Sequence, residues 1–141
     1  MDERDDEDYE IGVLLRRAHS KAAEAFNDAL KPLDIQGKHF GVLLLLHRVG
    51  PLSQRQLIDR LGSDKSAMVR FIDDLEARDL CVRKPAEHDR RAHSVMLTPH
   101  GEEVFARAER DALAVSRALL APFAPAERTQ LIALLTRFVS Q

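Results

Sequence analysis

The segment Ser53–Thr98 constrains the fold more than any other, and Gly62 is its pivot. Ahead of Gly62, Leu57, Ile58 and Leu61 recur on one helical face; behind it, Met68, Val69, Phe71, Ile72 and Leu75 do the same. A tight turn between two helices needs a residue that accepts positive φ, and glycine does so without a Cβ penalty. Ser53 is placed to cap the first helix, and Ser63 or Asp64 the second. Past Asp79, Leu80, Cys81 and Val82 form a short apolar run, and Arg83–Arg91 is polar with one proline. His93, Val95 and Leu97 then alternate with Ala92, Ser94 and Met96, the period of a strand. Thr98 and Pro99 restart a helix, the first as N-cap and the second where a missing N–H costs nothing.

Two short helices across a tight turn, followed by two strands around a basic tip, make a winged helix-turn-helix. The flanking sequence is helical. Residues 11–33 carry Leu14, Leu15, Ala18, Ala22, Phe26 and Leu30 at helical spacing, an amphipathic helix of about six turns. Lys38–Val49 predicts a second, almost wholly apolar and therefore buried helix, closed by Gly50-Pro51. Pro99 to about Leu120 forms a third long helix, and Glu127–Val139 a last one after the break at Pro122–Pro125. One small domain cannot bury both sides of the first helix, so a homodimer with interleaved terminal helices is expected. A two-fold dimer would set two recognition helices about 34 Å apart, one turn of DNA.

At 141 residues one domain is the default, large enough for a core without disulfides, and the single cysteine fits a reducing cytoplasm. The acidic N-terminus is unlike a signal peptide, and the longest apolar run, Phe40–Leu46, is too short to cross a bilayer. The net charge of −2 hides an asymmetry: residues 1–10 carry −6, and the remainder +4. Such an acidic run predicts a solvated, disordered tail. The expected fold is thus mainly α with a small β-wing. A winged helix-turn-helix DNA-binding lobe occupies about 50–98, and a helical dimerisation lobe is formed by the N- and C-terminal helices, about 11–33 and 99–140. Together they make one domain, 11–141, behind a tail at 1–10.

Over nearly its whole length the chain resembles the MarR family of bacterial transcription regulators. The resemblance rests on GPLSQRQLIDRLG (50–62), DKSAMVRFIDDLEARDL (64–80) and above all DRRAHSVMLTPHG (89–101). It implies a triangular homodimer, a helix in the major groove, a wing tip in the flanking minor groove, and control by a small effector bound between the dimerisation and DNA-binding lobes. Three positions depart from the family pattern. Asp79 stands where Gly commonly ends the recognition helix, Ile58 where a small residue is typical, and Ala124 where a polar N-cap is usual. The last should weaken the start of the final helix by about 1 kcal/mol.

Recognition combines phosphate contacts that position with base-edge contacts that specify. With Met68, Phe71 and Ile72 on the core side of the second helix, Asp64, Lys65, Ser66, Ala67 and Arg70 face outward. Lys65 and Arg70 can reach guanine or phosphate, and Ser66 either. Ser53, Gln54 and Arg55, at the start of the preceding helix, are phosphate clamps by position. In the wing, Arg83, Lys84, His88 and Arg90 would follow the backbone, and Asp89 would orient the tip. The resemblance gives Arg91 the minor groove, and a narrow A·T groove attracts a guanidinium. It also places His19 and His39 on the helices that frame the effector cleft.

Cys81 lies in an apolar run, so a buried, inert thiol is expected. None of the six histidines forms an H-x₃-H pair, so no metal site is expected, nor any cofactor. No phosphate loop or nucleophile elbow supports an enzyme. The function expected is a ligand-responsive repressor on a palindromic operator, its partners double-stranded DNA, a second copy and a small effector, with no membrane contact. The alternative is a winged-helix protein adaptor without DNA binding.

Overall fold

A computed structural model describes residues 2–86 and 89–141, with side chains for 2–85 and 93–141. Helix α1 spans Glu3–Leu30 and ends in a 3₁₀ turn, Lys31–Leu33; α2 spans Gly37–Val49. Strand β1 (Leu52–Ser53) precedes α3 (Gln54–Leu61) and α4 (Lys65–Ala77). The hairpin is β2 (Cys81–Ala86) and β3 (Asp89–Leu97), and α5 (Pro99–Leu120) and α6 (Pro125–Val139) follow. The three antiparallel strands lie in the order β1-β3-β2.

The expected mainly α fold with a small wing is what the chain forms. The 1–10 segment is the correction: from Glu3 onward it is helix, not a disordered tail. Its acids Glu3, Asp5 and Asp6 fall in the first turn, where a carboxylate meets the positive end of the helix dipole, and Asp2 N–H donates to Asp5 Oδ2 at 3.2 Å. Charge alone suggested disorder; position along the helix reverses the sign of its effect. Strand β1 was not expected, because two residues carry no periodicity. It exists because Leu52 and Ser53 pair with Val95 and Ser94 of β3.

One core joins the lobes. Val42, Leu43 and Leu46 of α2, Leu57 of α3, and Met68, Ile72 and Leu75 of α4 are buried together with Val95 and Phe105. Phe105 of α5 stacks on Phe40 and on His47, whose Nδ1 lies 2.7 Å from Glu102 Oε2. Gly62 closes α3 at φ 72°, the left-handed turn expected, and its N–H donates to Ile58 O. Ser53 caps α3: its hydroxyl accepts from Gln56 N–H at 3.1 Å, and Gln56 Oε1 accepts in return at 2.9 Å. Ala124 has no side chain to cap α6, but Glu127 Oε1 accepts from Ala124 N–H at 2.8 Å, half of the usual reciprocal pair.

Helix α4 ends in a Schellman motif. Leu80 N–H donates to Leu75 O at 2.9 Å and Asp79 N–H to Glu76 O at 3.0 Å, with Asp79 left-handed at φ 57°. Asp tolerates this conformation better than most residues, at a cost glycine avoids. Asp79→Gly should therefore raise stability by about 0.5–1 kcal/mol, read as a higher urea midpoint at unchanged slope. A lower midpoint would show that the Asp79 side chain has a stabilising partner.

Two apolar faces stay uncovered. No α6 side chain is buried, and Ile132, Leu134, Leu135 and Phe138 face outward. Ile11, Val13 and Leu14 of α1 are exposed as well.

Candidate nucleic-acid interface and small-molecule cavity

The exposed polar residues at the starts of α3 and α4 form the candidate interface. Arg55 on α3, and Lys65, Ser66 and Arg70 on α4, are exposed; Gln54 and Ala67 are half-buried. Met68 and Ile72 hold α4 by its opposite side, which fixes the outward direction of these residues. Asp64 is exposed beside them, and its carboxylate is the N-cap of α4, one of the two caps expected, accepting from Ala67 N–H at 2.7 Å. Ser53 likewise spends its hydroxyl on a cap. Both can still shape an anion site through the helix N-termini they order.

Arg83 is the larger correction. It was expected to follow DNA phosphates, yet its guanidinium folds back on α4. Nη2 lies 2.9 Å from Asp73 Oδ1, Nη1 pairs with Glu76, and the side chain is only 25% exposed. Two carboxylates one helical turn apart make a better partner for the planar fork than a distant phosphate. Arg83 thereby ties the base of the wing to α4. Lys84, beside it, is exposed. The backbones of Asp89, Arg90 and Arg91 belong to β3; their side chains, and the whole of His88, lie outside the described residues.

The wing is also fixed at its far end. Thr98 Oγ1 accepts from Gly101 N–H at 2.9 Å and donates to Asp79 O at 2.5 Å, while Thr98 N–H donates to Leu80 O at 3.2 Å. One threonine therefore joins the end of α4, the strand and the start of α5. This is the physical content of the Leu-Thr-x-x-Gly segment.

A cavity of about 600 Å³ opens between α1, α2 and α5. Phe26, Phe40, Leu44 and Leu113 supply apolar wall, with His19, Lys38, Arg48 and Glu109 as its charged or titratable groups. His19 lines it. His39 does not: successive helical residues point about 100° apart, so with Lys38 and Phe40 on the cavity side His39 is turned toward α4. It borders a smaller cavity of about 410 Å³ with Asp28, Lys31, Asp74 and Arg78. The composition of the larger cavity was hidden in sequence, because Phe26, Phe40 and Leu44 follow the same periodicity as core residues.

His39 is buried, its ring edge-on to Phe71 at 6.1 Å between centroids. Burial lowers its pKa from the ordinary 6.5, against an opposing hydrogen bond to Asp74. A folded-state value below the unfolded one means that the unfolded chain binds the proton first. The stability from neutral His39 is thus whole above pH 6.5 and is lost as pH falls below it. Unfolding midpoints measured from pH 8 down to pH 5 should decline, and His39→Asn should flatten that slope.

Cys81 is buried, and burial pushes its thiol up to about 12. A neutral alkylating agent should leave the folded protein unmodified at pH 7.5 over the time in which the unfolded chain reacts fully. Rapid modification of folded chains would contradict this. Among the described residues no group of three or more His, Cys, Asp or Glu is placed to hold a metal, and no helix is long and apolar enough to cross a membrane.

Two amphipathic helices across a glycine turn, with an attached β-wing clasped to the second, define a winged helix-turn-helix protein. Residues 33–92 match the MarR family. The chain is 30% identical over 133 residues to a putative transcriptional regulatory protein for the hcr operon of Thauera aromatica, covering 94% of this chain and 80% of that one. It superposes on the transcriptional repressor CouR bound to a 23-mer DNA duplex with a TM-score of 0.84, at 31% identity and 91% coverage of each chain. It is similar also to BpsR of Bordetella bronchiseptica, whose DNA binding is regulated by 6-hydroxynicotinic acid, with a TM-score of 0.87, 26% identity and coverage of 93% and 94%. The chain belongs to the MarR family of transcriptional regulators.

Proposed function

We propose that this regulator is a repressor that binds a palindromic operator as a homodimer and releases it when a small molecule enters the cavity between α1, α2 and α5. The observation that carries the reading is the grouping of Arg55, Lys65, Ser66 and Arg70 on the outward side of the helix pair. Arg55, Lys65 and Ser66 at two helix N-termini, with Arg70 one turn further along α4, suit phosphates and base edges. Arg91 enters the flanking minor groove from the wing tip, and Lys84, Arg90 and His88 follow the backbone. The uncovered faces of α1 and α6 supply the dimer surface, as an exposed apolar patch of this kind calls for a partner. The cavity, largely apolar with Lys38 and Arg48 at its wall, suits a compact apolar acid. CouR on its duplex and BpsR with its effector support both parts by similarity. The working compartment is the cytoplasm.

The test is a selection from random duplex DNA, followed by affinity measured at rising salt. A repressor of this kind should enrich inverted repeats with half-sites about one turn apart and lose affinity steeply with salt. A winged-helix adaptor would enrich no sequence and show no salt-dependent binding. The exposed cations favour the first.

A further inference from the structure

His39 stands between the cavity and the recognition helix, with both ring nitrogens engaged. Nδ1 accepts from Gln36 N–H at 3.0 Å, so the proton sits on Nε2, which donates to Asp74 Oδ2 at 3.1 Å. Gln36 precedes α2, and Asp74 lies on α4. On the other side, Gly37 N–H donates to Asn27 Oδ1 of α1 at 2.8 Å. Asn27, Gln36 and Lys38 all line the larger cavity. Lys38 Nζ also lies 5.1 Å above the ring of Phe71 on α4.

We propose that His39 is a positioning residue that carries displacement of the cavity wall, at Asn27 and the start of α2, to the recognition helix through Asp74. The link rests on the reading of α4 as the DNA-contacting helix. A buried imidazole with both nitrogens committed has no slack. It cannot follow Gln36 without lengthening its bond to Asp74, and rotation would break both hydrogen bonds and its edge-on packing on Phe71. A ligand that moves Asn27 or Gln36 therefore shifts α4 or breaks one hydrogen bond. Either outcome separates two arrangements of the recognition helix, which is what coupling between two sites requires.

A double-mutant cycle on the full chain tests this, read by affinity for a selected duplex at fixed salt and needing no effector. Asn27→Ala removes the acceptor for Gly37 N–H; Asp74→Ala removes the acceptor for His39. Asn27→Ala is expected to weaken duplex binding roughly three- to tenfold. In the Asp74→Ala background the same change should have less than about a twofold effect. Asp74→Asn, whose carbonyl still accepts from Nε2–H, should restore it, a rescue that a purely structural role would not produce. Asn27→Ala with no effect on affinity, or with an effect that persists undiminished beside Asp74→Ala, overturns the proposal. Wild-type chains that bind no duplex overturn the DNA-binding reading instead, a failure visible before any variant is made. Asp74 is half exposed, so its variants should fold.

Discussion

Gly101→Ala is expected to destabilise the protein by about 3 kcal/mol, one of the two largest effects anticipated for a single substitution here. A Cβ at position 101 would lie 1.9 Å from Leu80 O and 2.9 Å from its carbonyl carbon. Both atoms belong to backbone, so no rotamer change relieves the overlap. Leu80 cannot retreat, because its N–H is held by Leu75 and its carbonyl accepts from Thr98 N–H. The start of α5 must move instead, taking with it the Thr98 cap and the base of the wing. Urea unfolding should show the loss directly, and duplex affinity should fall in parallel as the wing loses its seat. Gly12→Ala is the control: nothing lies within 4 Å of its would-be Cβ on an exposed helix, so the substitution should be neutral or stabilising by about 0.5–1 kcal/mol. Equal stability for Gly101→Ala and wild type would refute the close approach.

Arg91→Ala is the second. It should weaken operator binding by about 1–3 kcal/mol, roughly five- to 150-fold, with the unfolding midpoint unchanged. Arg91 is the third residue of β3, near the turn of the hairpin. A narrow A·T minor groove concentrates negative potential, and a guanidinium inserted there is held with little competition from water. The penalty is large because the supply of cations is small. Ser53–Thr98 contains nine basic and eight acidic residues, and Arg83 is committed to Asp73 and Glu76. A binder with so few free cations depends on each of them. Gel-shift affinities that match wild type within error would remove Arg91 from the interface.

Local signals were legible in the sequence, and long-range pairings were not. Gly62, Thr98-Pro99 and the alternation ending at Leu97 are decided within a few residues, and each forms the turn, cap or strand it predicts. Asp79, standing where Gly is common, adopts the left-handed φ of 57° that such a position calls for. Arg83 and His39 face elsewhere than expected for one shared reason. A polar side chain next to a groove or cavity can face the ligand or a neighbouring element, and the partner that decides is remote in sequence. For Arg83 it is a pair of carboxylates on α4; for His39 it is Asp74, thirty-five residues away. The acidic start of α1 misled in another way, because composition ignores where along a helix a charge falls.

The bare face of α6 ties stability to abundance. A helix of 15 residues that hides none of its own side chains is marginal in water by itself, so the helix must draw its order from whatever covers it. Where that cover is a second copy, the apparent melting temperature rises with total protein, by mass action. Dilution would then loosen the chain's end and lower operator occupancy together. A cell that lets the concentration of this regulator drop would lose its grip on DNA more steeply than the number of molecules alone predicts.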